Sequence, residues 1–305
     1  MKQNKFAIKP SKINPLLLPV ITILIAIAIL GYLIYRERQL LLAYNWQFHP
    51  QYFALTFILY SIDLAIVALV WGWIMNTLSK QLNYLTHFRY FSIANITKRI
   101  PGTLWYIANR AQLYKSNGID PKLTTVASGM ELAVSVLSSV VVCVIFSIPI
   151  ILQYQLNPII LGIVVLLCII VIHPKFMDWI FRLLKVEASD FSYLEILKWL
   201  ITYLLAWILG GFLLFVLGNS ITTIPIENLP YIIGSFGLVN LLSLAFFFLP
   251  TNLGITEVGL SLLLANIMPS SVAVVVAIAF RLVVILYEIV WALISIATKH
   301  ENTTN

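Results

Sequence analysis

Five ionisable side chains, Asp63, Glu131, Glu257, Arg281 and Glu288, stand in stretches of this sequence that are otherwise soluble in lipid. Arg281 is the clearest. Eleven uncharged residues, Ser270 to Phe280, precede it and a further apolar stretch follows, so its head group cannot easily snorkel to an interface. An arginine or aspartate at the centre of a membrane helix costs about 2.5 to 3.5 kcal/mol on insertion scales, so such a group needs a compensating partner, and in membranes it commonly handles a charged substrate or a proton. Glu288 is seven residues beyond Arg281, two turns along nearly the same face, and so is a stacked neighbour and not a direct partner. The counter-ion must come from another segment, and Glu131 and Glu257 are the candidates. The other reading is a static ion pair that fixes helix packing. Asp63 is a lone carboxylate that could pair or cap locally.

Two breaks carry the remaining chemistry. The first is Lys98-Arg99-Ile100-Pro101-Gly102-Thr103-Leu104-Trp105-Tyr106-Ile107-Ala108-Asn109-Arg110, a basic segment split by proline. The second is Leu249-Pro250-Thr251-Asn252-Leu253-Gly254-Ile255-Thr256-Glu257, where a carboxylate follows the proline instead of a cation. An anionic headgroup that sheds water needs a guanidinium fork or the free N–H groups of a helix start. Arg99 just before the break and Gly102 opening a new helix form such a phosphate cradle. Trp105, Asn109 and Gln112 then recur at helical spacing on one side, whereas Arg110 shares a side with Tyr106 and Leu113. Asn252 offers an equivalent polar group in the second break. Lys98, Arg99 and Arg110 are equally readable as anchors on the cytoplasmic side.

The elements that must position these groups are membrane helices. Of the 305 residues, 61% are hydrophobic and only 10% charged, and the mean hydropathy is +0.96, which leaves too little polar surface for a soluble globule. The predicted fold is an all-α polytopic transmembrane bundle of about six to eight spans, with two proline-broken hairpins that enter part-way as re-entrant segments. Lys2, Lys5, Lys9 and Lys12 place residues 1–14 in the cytoplasm as a tail, and residues 15–298 form a single transmembrane domain. Span one covers about 15–35, span two about 51–75, and an apolar run about 124–152 leads outward. Span four covers about 156–173, span five about 199–217, and a long last run covers about 270–297. Between Asn76 and Lys122, seven cations against Asp120 mark the cytoplasmic side and forbid an ordinary lipid-facing span. The exit loop of span five, to Pro230, has no lysine or arginine, as an outer loop should. Both chain ends, including a tail at 299–305, are therefore expected inside, in a prokaryotic plasma membrane. Cys143 and Cys168 read as small core residues, and the histidines lack metal-ligand spacing, so neither a metal nor a cofactor is expected. The net charge of +7 follows membrane-flanking loops and does not point to nucleic acid.

An internal offset organises the chain. Pro101 and Pro250 are 149 positions apart, Glu131 and Arg281 are 150 apart, and the same shift lays spans one and two near spans four and five. Two halves, 15–152 and 153–298, are implied, and the loop charges make them inverted about the membrane plane. Broken segments at corresponding places in inverted repeats point to a substrate site near the midplane.

Arg99-Ile100-Pro101-Gly102, Trp105, Arg110 and Gly118, followed by Glu131, and then Pro250, Gly254, Glu257 and Arg281, resemble the transmembrane region of lysylphosphatidylglycerol synthases and their free-standing flippase-like relatives. The resemblance covers almost the whole chain. It implies a unit that translocates lipid from inner to outer leaflet, or a partner of glycolipid assembly. The soluble aminoacyl-transferring domain of the full synthases has no counterpart here, so synthase activity is not expected. Asn252 and Thr256 stand where the family more often has glycine or arginine.

No glycine-rich nucleotide loop, His-Glu-x-x-His helix, Gly-x-Ser-x-Gly elbow or paired acidic loop motif occurs, so catalysis is the lesser expectation. The sequence-based expectation is translocation of an anionic phospholipid, or of a polyprenyl-phosphate or glycolipid intermediate. Its headgroup would meet Arg99, Gly102, Trp105, Asn109, Arg110 and Asn252, with Glu131, Glu257, Arg281 and Glu288 as the intramembrane charge network. The alternatives are a membrane-embedded transferase using Glu131 or Glu257 as base, an ion-coupled small-solute transporter, and an accessory subunit for a partner glycosyltransferase or lipid synthase.

Overall fold

The structure is a computed structural model of the chain. It describes residues 32–301 apart from 33–34, 36–37, 45, 47, 80–81, 100–104, 154, 156, 158, 160–161, 164–165, 168, 171–172, 185–191 and 246–253. Among the described residues every regular element is helical: α1 (Arg38–Ala43), α2 (Pro50–Ser79), α3 (Tyr84–Ile96), α4 (Trp105–Lys115), α5 (Pro121–Phe146), α6 (Ile148–Gln153), α7 (Pro174–Leu184), α8 (Tyr193–Ile221), α9 (Leu229–Ala245), α10 (Ile255–Leu264) and α11 (Ser270–Glu301). Four of them, α2, α5, α8 and α11, are long and apolar enough to cross a bilayer, and α10 is a shorter apolar helix. The expected all-α membrane bundle is what the chain forms. Span one lies almost wholly outside the described residues and span four is described only in part.

Local sequence sets the helix ends. Asp120 accepts from the Lys122 N–H at 2.8 Å and Pro121 takes the first turn of α5, where its missing N–H costs nothing. Ser192 and Glu195 close a reciprocal capping box at the start of α8. Gly118, at φ +79°, turns the chain after α4, a conformation that an L side chain rarely adopts. The apolar run expected to continue to residue 152 is broken instead at Ser147. Pro149 explains this, because its ring would collide with the carbonyl of Ile145. The Ser147 hydroxyl is not stranded by the break, since it donates to the Gly234 carbonyl at 2.9 Å.

The helices carry apolar residues all round, but the inner and outer faces differ in packing. Leu197, Ile201 and Leu205 on α8, and Leu282, Leu286 and Leu293 on α11, recur at helical spacing and are exposed, as a lipid-facing stripe requires. Inside, α2 lies along α8, and each broken hairpin leans on the other half of the chain: α3 packs against α11, and α9 against α5. Arg89 ties the first contact by donating to the Thr298 carbonyl at 3.0 Å. The second depends on close backbone approach at small residues, as membrane helix pairs commonly do. A Cβ on Gly234 would stand 2.5 Å from the Phe146 carbonyl oxygen, so no side chain fits without moving backbone.

Gly234→Ala is therefore expected to destabilise the folded protein by about 1–3 kcal/mol through overpacking. Gly129→Ala, where an added Cβ meets nothing within 4 Å, should leave stability unchanged or raise it slightly. Thermal midpoints in detergent check both.

Candidate functional site

Each break is followed by a short helix, and each short helix carries one charge that is paired with the long helix after it. α4 is 11 residues and α10 is 10 residues, too short to span a hydrocarbon core of about 30 Å at about 1.5 Å per residue. Glu131 is the eleventh residue of α5 and Arg281 the twelfth of α11, about 15 to 17 Å into their helices and so several turns from either end.

In the first hairpin, Arg110 of α4 donates through Nη1 to Glu131 Oε2. The pair is sealed, with side-chain exposures of 0% and 8%. The second Glu131 oxygen accepts from the Tyr203 hydroxyl of α8 at 2.7 Å. The guanidinium lies among three aromatic faces, with Cζ at 4.2 Å from the Trp71 ring centre, 4.5 Å from Phe91 and 5.1 Å from Tyr106. Its Nε and Nη2 are buried with no hydrogen-bond acceptor among the described residues, so the rings themselves supply the attraction those groups receive. Lys98 stands over two of the same rings, its amine at 5.5 Å from the Phe91 centre and 5.1 Å from Tyr106.

A hydrogen-bond chain supports this box from behind. Trp71 Nε1 can only donate, and it donates to the Tyr114 hydroxyl at 2.7 Å. Asn76 Oδ1 can only accept, so His87 Nε2 at 2.9 Å is the N–H, and Nδ1 then accepts from the Tyr114 hydroxyl at 2.6 Å. The direction follows from the two ends, an indole N–H that only donates and an amide oxygen that only accepts. Three helices, α2, α3 and α4, are fixed by that chain.

In the second hairpin, Arg281 of α11 reaches Glu257 of α10 at 3.1 Å. Glu257 is the third residue of its helix and also accepts the Gly254 backbone N–H at 2.7 Å. It therefore caps the N-terminus of α10, where the backbone dipole favours a negative charge. Gly254, at φ +101°, is the turn that makes this reach possible. This pair is the more open of the two: the Arg281 side chain is 18% exposed and that of Glu257 7%. The hairpin is closed at its other end by Tyr231, whose hydroxyl donates to the Leu263 carbonyl at 3.1 Å.

The sequence-derived candidates are thus divided. Of the two expected counter-ions for Arg281, Glu257 takes the place, and Glu131 pairs with Arg110 instead. Arg110, expected at a headgroup, is enclosed in protein. Trp105 is 56% exposed, Asn109 is half-buried, and Glu288 is buried on α11, two turns beyond Arg281. Arg99 ends a short 3-10 turn, Thr97–Arg99, and α4 begins at Trp105. Gly102 and Asn252 lie outside the described residues. Tyr203, Trp71, Phe91 and the His87 chain were not foreseen. Tyr203 left one signal: a tyrosine within an apolar span must find a polar partner for its hydroxyl.

Among the described residues no group of three or more His, Cys, Asp and Glu side chains is placed to hold a metal ion. Comparison with protein-family models and with curated proteins returns no match.

Breaking the sealed pair from one side should be far worse than removing it whole. Arg110→Met, which strands Glu131 in the interior, is expected to destabilise by about 3–5 kcal/mol, whereas Arg110→Met with Glu131→Gln should recover most of the loss. Unfolding midpoints of the three proteins in detergent measure the difference.

Proposed function

We propose that this chain moves an anionic lipid, or a lipid-linked anionic intermediate, between the leaflets of a plasma membrane. The observation that carries the reading is the Arg281–Glu257 pair: a guanidinium several turns from either end of its helix, partly exposed, and held by a carboxylate that has a second source of compensation.

The chemistry follows from that second source. A phosphate or phosphodiester oxygen competes well for a guanidinium, because the fork matches its geometry and the contact is charge-assisted. Giving up Arg281 would ordinarily strand a carboxylate in a dry interior. Glu257 keeps the Gly254 N–H and the N-terminus of α10, so the guanidinium can be lent to a headgroup at reduced cost. The acyl chains of the same lipid meanwhile stay against apolar exterior stripes such as Leu282, Leu286 and Leu293. Arg110 does not share this role, since its sealed box holds it in place.

Translocation of a headgroup-labelled phosphatidylglycerol in proteoliposomes tests the reading. Arg281→Ala and Glu257→Ala should each slow headgroup transfer by about tenfold or more, the effect of losing one charge-assisted contact. Insertion should be intact in both variants. Wild-type rates in both charge variants would refute the site.

A further inference from the structure

One helix stands apart from the bundle. α7 has 11 residues, and among the described residues no other helix packs along it and none of its side chains joins the buried core. Its sequence is two-sided all the same. Phe176, Trp179, Ile180 and Leu183 recur at the i, i+3, i+4, i+7 spacing of one helix face, whereas Lys175, Asp178 and Arg182 recur at i, i+3, i+7 on a separate face. Lys175 and Arg182 are exposed, as charged groups should be, but so are Trp179 and Leu183, at 53% and 64%. Phe176 packs on Trp179 with ring centres 5.6 Å apart. A helix too charged on one side to be buried, and too apolar on the other to lie in water, belongs at a boundary.

The start of α7 is pinned to the start of a spanning helix. His173, the residue before it, accepts the Lys175 N–H through Nδ1 at 3.2 Å. In the neutral ring Nε2 then carries the hydrogen, and it donates to the Tyr193 hydroxyl at 3.1 Å. Tyr193 is the first residue of α8. Tyr193, Leu194 and Leu197 are exposed at the head of the lipid-facing stripe that continues through Ile201 and Leu205. α7 therefore begins at the level where α8 begins its span, and the lipid surface that α8 enters is the apolar medium within its reach.

From the exposed Trp179 and Leu183 and the anchorage of α7 at the head of α8, we infer that α7 is an interfacial helix. It lies flat on a phospholipid leaflet, with its apolar face sunk to the acyl boundary and Lys175 and Arg182 against headgroup phosphates. The length of the stripe sets the orientation. An upright helix would lift Leu183 about 10 Å above Phe176, at about 1.5 Å per residue, and out of the lipid. Only a helix in the membrane plane brings residues 176 to 183 to one depth. Trp179 is four residues from Lys175 and so borders the charged face, where an indole meets acyl chain and headgroup together. The long stems of Lys175 and Arg182 carry their charges up from the same level. Seated so, α7 fixes the depth at which α8, the helix that brings Tyr203 to Glu131, enters the bilayer. The seat is independent of any transported lipid, and no transport measurement enters its test.

Depth-resolved fluorescence quenching tests the inference, with the full chain in vesicles of phosphatidylcholine and phosphatidylglycerol. Single cysteines Leu183→Cys and Lys175→Cys, both at exposed positions, are introduced together with Cys143→Ala and Cys168→Ala and carry the same nitrobenzoxadiazole dye. Leu197→Cys on α8 gives the response of a residue in contact with lipid. Nitroxides on the headgroup and at two depths along the acyl chain quench from the lipid side, and iodide quenches from water. The dye at 183 should read about 5–10 Å below the headgroup nitroxide and be shielded from iodide, while the dye at 175 should read at the headgroups and stay open to iodide. Because the dye is the same on both faces, the difference between the two positions is the readout. Equal iodide quenching at 183 and 175 would overturn the inference by placing the whole helix in water. A dye at 183 shielded from iodide and from every nitroxide lipid would overturn it by placing protein on this face, either a second copy of the chain or another partner.

Discussion

A charge at bilayer depth must be neutralised where it stands, and the arrangement of this chain depends on that constraint more than on any other. In the described part of the protein two guanidinium–carboxylate pairs meet it, both formed between a short helix and the long helix that follows. The short helices cannot be held by spanning, because they are too short to reach both interfaces. Their position in the bundle is set by the pair and by the packing around it.

The two pairs are not interchangeable, and local surroundings fix which end carries which sign. Arg110 suits α4 because three aromatic faces surround it and attract a cation. Glu257 suits α10 because it lies in the first turn, where free backbone N–H groups and the helix dipole attract an anion. Exchanging the members of either pair would put a carboxylate against ring faces or a cation at a helix N-terminus. The opposite polarity of the two halves is thus written into their neighbours as well as into the paired residues.

Much of the fold was legible because membrane helices announce themselves by long apolar runs: the starts expected near 51 and 270 fall within a residue of the observed ones, whereas the helix expected at about 199–217 begins six residues earlier and ends four later. The 149-residue offset between the two prolines has a counterpart in the order of elements, since a short helix and then a long one follow each of them. What escaped was pairing. A helix repeat of 3.6 residues says which side chains share a face but not which other helix that face meets, so Glu131 and Glu257 stood as equal candidates for Arg281. Arg110 was misjudged for a related reason: a cation beside a proline break has the same sequence signature as an interfacial anchor, and only the convergence of Trp71, Phe91 and Tyr106 from other segments distinguishes the two. The break at Ser147 was readable from Pro149 and was overlooked within a long apolar run.

A hydrogen-bond chain behind Arg110 braces the first hairpin. Trp71 on α2, Tyr114 on α4 and His87 on α3 are joined in a single direction of donation, with Asn76 of α2 as the final acceptor. Reversing the direction would set donor against donor at Trp71 or acceptor against acceptor at Asn76, which ties the three helices to one another. At the second hairpin the carboxylate of Glu257 binds its own helix start as well as Arg281, and can release one partner while keeping the other.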